Sequence, residues 1–79
     1  MDDITPRLIN CFQTVFPDLP GSEIPACDRA SVQNWDSVAA ITLVNVIEEE
    51  FGIEVDFEIL PELDSFSRVR EYLRKETHP

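Results

Sequence analysis

Between Asp36 and Gly52 the chain reads SVAAITLVNVIEEEF, and the spacing of its apolar residues leaves few folds open. Projected at about 100° per residue, Ala40, Leu43, Val44, Ile47 and Phe51 fall on one side. The pattern predicts an amphipathic helix from about Ser37 to Phe51, ended by Gly52, that must lie against a second apolar surface. Val38, Thr42, Asn45 and Glu49 lie roughly opposite, with Ala39 and Val46 beside them and Ile41 between the two faces. The outer face of a lone domain normally carries more charge than this one, whose acid gathers at its C-terminal end.

The rest of the chain supplies the surfaces that helix needs. In ITPRLINCFQTVF, Thr5 can cap a first helix, Pro6 suits its first position and Ile4 can staple against Ile9. Leu8, Cys11, Phe12 and Val15 then share a stripe edged by Ile9 and Phe16, and Pro17 stops the helix. From Pro17 to Trp35 the sequence reads as a long connection with three prolines and one glycine. Leu19, Ile24, Val32 and Trp35 are expected to pin it to the core, with a short helical turn at Ala30 to Val32. Such a loop can join two helices that run roughly parallel. GIEV alternates like a strand but has nothing to pair with, so it is read as extended loop. Asp56 can cap a single turn through Leu60 that Pro61 closes. A last helix starts near Asp64 or Ser65, turns Phe66, Val69, Tyr72 and Leu73 inward, and frays at RKETHP. The expected fold is all-α. It is a small four-helix bundle, three longer helices plus one short third helix, with a long loop between helices one and two, and residues 1–79 form one domain.

Composition narrows the function. Sixteen acidic side chains against six basic ones leave a net charge of −10. Nucleic acid and anionic membrane surfaces are therefore poor partners, and basic patches on other proteins are good ones; the plain alternative is that the acid only confers solubility. A chain this short buries only about 60% of its unfolded surface, which disfavours a deep catalytic pocket. The one histidine, His78, sits in the tail, so no imidazole is placed to activate a serine or a cysteine. Consecutive carboxylates at Glu48 to Glu50 point in different directions around a helix and do not converge on a metal. No Gly-rich nucleotide cradle is present. Cys11 and Cys27 lack zinc-site neighbours; Cys11 is expected buried, and a reduced, cytoplasmic protein without membrane insertion is the simplest reading, with a disulfide left open. No signal-like or membrane-spanning apolar run is seen.

What survives is Asp36-Ser37-Val38. Asp36 is a good N-cap, which alone requires no serine beside it. Ser37 would stand at the first helical position, its hydroxyl exposed beside unsatisfied backbone donors that could receive a phosphodiester. Both readings, plain helix start and modification site, remain open on the dipeptide alone.

Read whole, DSVAAITLVNVIEEEFGIEV from Asp36 to Val55 resembles the acyl carrier protein family. That family opens its second helix with Asp-Ser-Leu, continues through an apolar stripe to an acidic EEEF and follows with a short Ile-containing loop. The resemblance covers nearly the whole chain and implies that Ser37 bears 4'-phosphopantetheine, donated by coenzyme A through a phosphopantetheinyl transferase, with Asp36 as motif and cap residue. The implied role is a free-standing, non-catalytic carrier, expected to be a monomer. It would hold an acyl or aminoacyl group as a thioester and present it to a loading ligase and to a downstream synthase or transferase with a basic docking surface. The docking face would comprise Val38, Ala39, Thr42, Asn45, Val46, Glu48 and Glu49. The chain departs from the family at Val38 (usually Leu), at Ala39 and Thr42 (acidic in many fatty-acid carriers) and at Asn45 (often Met). These departures shift docking from ion pairs towards shape and favour a specialised pathway over bulk fatty-acid synthesis. Trp35 replaces a usual Leu or Met and could pack in the core or shield the base of the arm. A fatty cargo would want a cavity lined by Val44, Ile47, Ile59, Leu60 and Val69, with Phe51 beneath it; a short or polar cargo would not, and Phe57 and Phe66 could fill that space. The alternative function is a carrier-like adaptor that binds proteins without an arm.

Overall fold

In a computed structural model, which describes residues 4–77, the chain folds into three α-helices and two 3₁₀ segments around one core. Helix α1 spans Ile4–Val15, α2 spans Ser37–Phe51 and α3 spans Phe66–Thr77; the 3₁₀ segments are Ile24–Ala26 and Phe57–Glu62. No strand forms among the described residues, although Asp28 and Ser65 make one isolated antiparallel bridge. His78 and Pro79 lie outside the described residues, as does any role for the lone imidazole.

The expected core stripes are mostly the observed ones, except that Val15 is half-buried and Phe16, expected at the edge, lies in the core. Leu8, Cys11 and Phe12 of α1, Ala40, Leu43, Val44 and Ile47 of α2, and Phe66, Val69 and Leu73 of α3 are buried, with Tyr72 half-buried at the edge. An aromatic cluster joins the elements: Phe12 meets Trp35 edge-on at 5.5 Å and Phe66 at 5.2 Å, and Phe16 meets Trp35 at 5.7 Å. Trp35 is 3% exposed, which decides its two readings in favour of core packing. α1 is also clipped to the C-terminal end of α2. Arg7 Nε donates to Glu50 Oε2 at 2.8 Å, and its guanidinium lies 4.6 Å from the centre of the Phe51 ring. Phe51 is accordingly half-buried under Arg7 and stands at the edge of the core.

Several boundaries fall elsewhere than expected, for identifiable reasons. α1 already contains Ile4 and Thr5, so Thr5 is not its cap; the first N–H groups of a helix have no intrahelical partner, and Pro6 therefore fits its first turn. In the long connection the 3₁₀ turn is at Ile24–Ala26, set by burial of Ile24 and Cys27. The expected turn at Ala30 to Val32 is a single loop closure: Ser31 N and Val32 N both donate to Asp28 O, and Asp28 Oδ1 accepts from Ser31 N at 2.8 Å. The short third helix is 3₁₀ in form. Asp56 starts it by accepting from Glu58 N at 2.9 Å, but Pro61 lies inside it, because Leu63 N donates to Leu60 O and carries the turn onward. α3 is capped by Ser65, whose Oγ accepts from Arg68 N at 3.1 Å. The expected fraying at RKETHP does not occur up to Thr77, and Arg74 and Lys75 in the last turn suit the negative end of the helix dipole.

Candidate functional site

The N-terminus of α2 is fixed before any ligand is considered. Asp36 has extended backbone, and its Oδ1 accepts from Ala39 N at 2.8 Å. Its carbonyl oxygen accepts from Ala40 N at 2.9 Å, the first bond of the helix. Trp35, one residue earlier, is sunk in the aromatic cluster and anchors the strand of chain that enters the cap. Ser37 is thus the first helical residue of an anchored helix, and it is exposed.

Its surroundings are mixed in chemistry. The Arg29 guanidinium reaches it from the long loop, with Nη2 3.5 Å from Ser37 Oγ, the outer limit of a hydrogen bond. A shallow open cavity of about 210 Å³ lies alongside, lined by Arg29, Ser37, Ile41, Phe57, Leu60 and Pro61. Two of its apolar walls stand in water: Ile41 is 43% exposed and Phe57 53%. A positive group, a free hydroxyl and apolar walls form a donor set that fits a phosphodiester followed by a flexible, partly apolar chain.

The region that a fatty cargo would need holds far less space. Between α2 and α3 a void of about 10 Å³ remains, bounded by residues that include Val44, Ile47, Leu60, Leu63 and Val69. That is about the size of one water. Of the two side chains expected to fill this region, Phe66 is buried in the aromatic cluster and Phe57 is not in the core at all. A wider groove, about 410 Å³, runs along α3 past Ile59, Arg68, Tyr72 and Lys75 and does not reach Ser37.

The expected docking residues divide. Val38, Thr42, Asn45 and Glu49 are exposed, Val38 to 73%, while Ala39 and Val46 are half-buried against the core. Thr42 Oγ1 donates back to Val38 O at 3.0 Å. Glu48 is partly committed to the fold, since its Oε2 accepts from Val55 N at 2.7 Å and holds the extended loop after Gly52. Arg29 and Phe57 were not among the sequence candidates for the site. Nothing local signals either of them, because both reach Ser37 from other segments of the chain.

Neither cysteine belongs to the site. Cys11 and Cys27 are buried free thiols. Burial, reinforced by the Glu50 charge and opposed by Arg7, pushes the Cys11 thiol up to about 11. Burial and the neighbouring Asp28 carboxylate raise Cys27 as well. Among the described residues no cluster of His, Cys, Asp and Glu could hold a metal ion, and no helix is long and apolar enough to cross a membrane.

Residues 35–73 match the family model described as a phosphopantetheine attachment site. No curated protein and no solved structure gives a significant match.

Proposed function

We propose that this chain, a phosphopantetheine-attachment domain over residues 35–73, is a carrier protein whose arm is esterified to Ser37. One observation carries the assignment to that residue. Within the matched segment, Ser37 is an exposed hydroxyl on the first turn of a helix whose start is fixed by the Asp36 cap and the buried Trp35. In the transfer from coenzyme A, the Ser37 oxygen forms a bond to the phosphorus nearer the pantetheine. The pyrophosphate P–O bond breaks, adenosine 3',5'-bisphosphate leaves, and the serine proton passes to a base on the transferase. Once attached, the arm supplies a terminal thiol that holds an acyl or aminoacyl group as a thioester. Apart from the Ser37 oxygen that becomes the ester, the chain's own residues form no bonds; they hold the serine in place, keep it open to water and present a face to partner enzymes.

The near-absence of interior space supports a cargo carried outside the core, in keeping with a specialised pathway more than with long fatty chains. Val38, Thr42, Asn45 and Glu49 are the accessible part of the docking face, with Glu48 and the half-buried Ala39 and Val46 beside them. Its scarcity of acid at the N-terminal half favours partners that read shape as much as charge. We place the protein in the cytoplasm, as a monomer, working with a phosphopantetheinyl transferase, a loading ligase and a downstream synthase or transferase.

The test is intact-mass spectrometry after incubation with coenzyme A and a broad-specificity phosphopantetheinyl transferase. One phosphopantetheinyl group is expected on the native chain and none on Ser37→Ala. A folded native chain that gains no mass beside an active transferase overturns the carrier reading. The exposed Val38, Ile41 and Phe57 then favour an adaptor without an arm, for which Ser37→Ala leaves partner binding and pathway output unchanged.

A further inference from the structure

The geometry points to Arg29 as the positioning residue for the arm: its guanidinium pairs with the phosphodiester on Ser37 and directs the arm's first segment along the Ile41–Phe57 side of the site. This rests on the assignment of the arm to Ser37 and goes beyond it, because Arg29 lies outside the segment that matches the attachment-site family.

Three independent features carry it. The first is proximity. Nη2 of Arg29 stands 3.5 Å from the oxygen that would become the ester oxygen, so the non-bridging phosphate oxygens, two bonds further out, come within its reach. The second is availability. Arg7 pairs with Glu50, Arg68 with Asp64 and Arg74 with Glu71, whereas Arg29 has no carboxylate within ion-pair distance among the described residues. In a chain of net charge −10, a guanidinium aimed at a serine and not at one of sixteen acids is a cation left for an incoming anion.

The third is anchorage. The backbone of Arg29 is fixed from both sides, since its own N–H donates to Asp64 O at 2.8 Å and Phe66 N donates to Cys27 O at 3.1 Å. Asp28 and Ser31 close the turn around it: Asp28 N donates to Ser31 Oγ, and Ser31 N donates to Asp28 Oδ1. Cys27, two residues earlier, is buried. The side chain therefore starts from a held point. From the other side, the open cavity continues past Arg29 and Ser37 to Ile41, Phe57, Leu60 and Pro61, so a phosphate held by Arg29 leaves the rest of the arm facing apolar walls.

The experiment compares native chain, Arg29→Gln and Arg29→Lys, each in apo and loaded form, with loading first verified by intact mass. Arg29 is exposed, so neither substitution should disturb folding, and amide spectra check this. Three signals are read: the side-chain Nε–Hε resonance of Arg29, the ³¹P resonance of the phosphodiester and the broadening of nearby amides by a nitroxide on the arm thiol. The expected result is that the Arg29 resonance moves when the native chain is loaded. The ³¹P resonance should shift in Arg29→Gln and return towards the native position in Arg29→Lys. A nitroxide on the arm thiol should broaden the amides of Ile41, Phe57 and Leu60 in the native chain, and less so in Arg29→Gln. A loaded native chain whose Arg29 resonance is unmoved, or a ³¹P resonance indifferent to Arg29→Gln, overturns the role of Arg29 while leaving the arm on Ser37 intact. A native chain that never loads overturns both.

Discussion

At the scale of single residues, the chain exposes the Ser37 hydroxyl and hides both of its thiols. Ser37 stands in water, while Cys11 and Cys27 are buried with thiols raised above their usual range. The thiolate is the reactive form, so both should be inert near neutral pH. Under native conditions iodoacetamide is expected to leave the apo chain unlabelled and to label the loaded chain once, on the arm. Mass spectrometry counts the additions, and labelling of the folded apo chain at neutral pH would contradict the burial seen here. The sign of the pH effect on stability follows from the same shifts. The unfolded chain ionises its thiols at lower pH than the folded one, so their contribution is intact below the ordinary thiol range and is lost as pH rises towards about 11. Of the candidate site, the Asp36 cap and the first-turn place of Ser37 were legible because a cap and the residue after it are neighbours in sequence. Arg29 was not legible: its approach depends on the Asp28–Ser65 bridge, which no local pattern encodes.

At the scale of elements, α2 is held at both ends by chemistry that can be removed one piece at a time. Asp36→Ala removes the cap bond to Ala39 N and should cost about 1 kcal/mol. Gly52, at φ 66°, closes the other end by donating its N–H to Glu48 O. A Cβ there would meet nothing within 4 Å, so Gly52→Ala should cost only the left-handed backbone penalty, about 1 kcal/mol. The sites are a helix apart, so the double variant should show close to the sum in urea denaturation. A Gly52→Ala loss far above that figure would mean that the turn carries more than a backbone preference. The helix was legible because its period, cap and terminating glycine all agree locally. The Pro17–Trp35 connection was legible only in its anchors, Ile24 and Trp35, and not in its form. A 3₁₀ turn at Ile24–Ala26 exists because those side chains find the core, which is a tertiary event. Pro61 misled for a related reason: it lacks an N–H, but the turn around it requires only that Leu63 donate to Leu60.

At the scale of the whole molecule, a net charge of −10 on 79 residues sets compact packing against self-repulsion. Salt should therefore stabilise the fold: Tm is expected to rise between low and moderate sodium chloride, read by the fluorescence of the single tryptophan, Trp35, which sits in the core. A Tm that falls over that range would mean that the few ion pairs, such as Arg7–Glu50, outweigh the repulsion. The stitch between the long loop and the start of α3 bears on timing. The bonds from Arg29 N to Asp64 O and from Phe66 N to Cys27 O join segments far apart in sequence, and each closes a large loop beside the buried Cys27 and Phe66. Two bonds between the same pair of segments make and break together. Deuterium should accordingly enter the Arg29 and Phe66 amides at one shared rate. Discordant rates would dissolve the latch into two unrelated contacts.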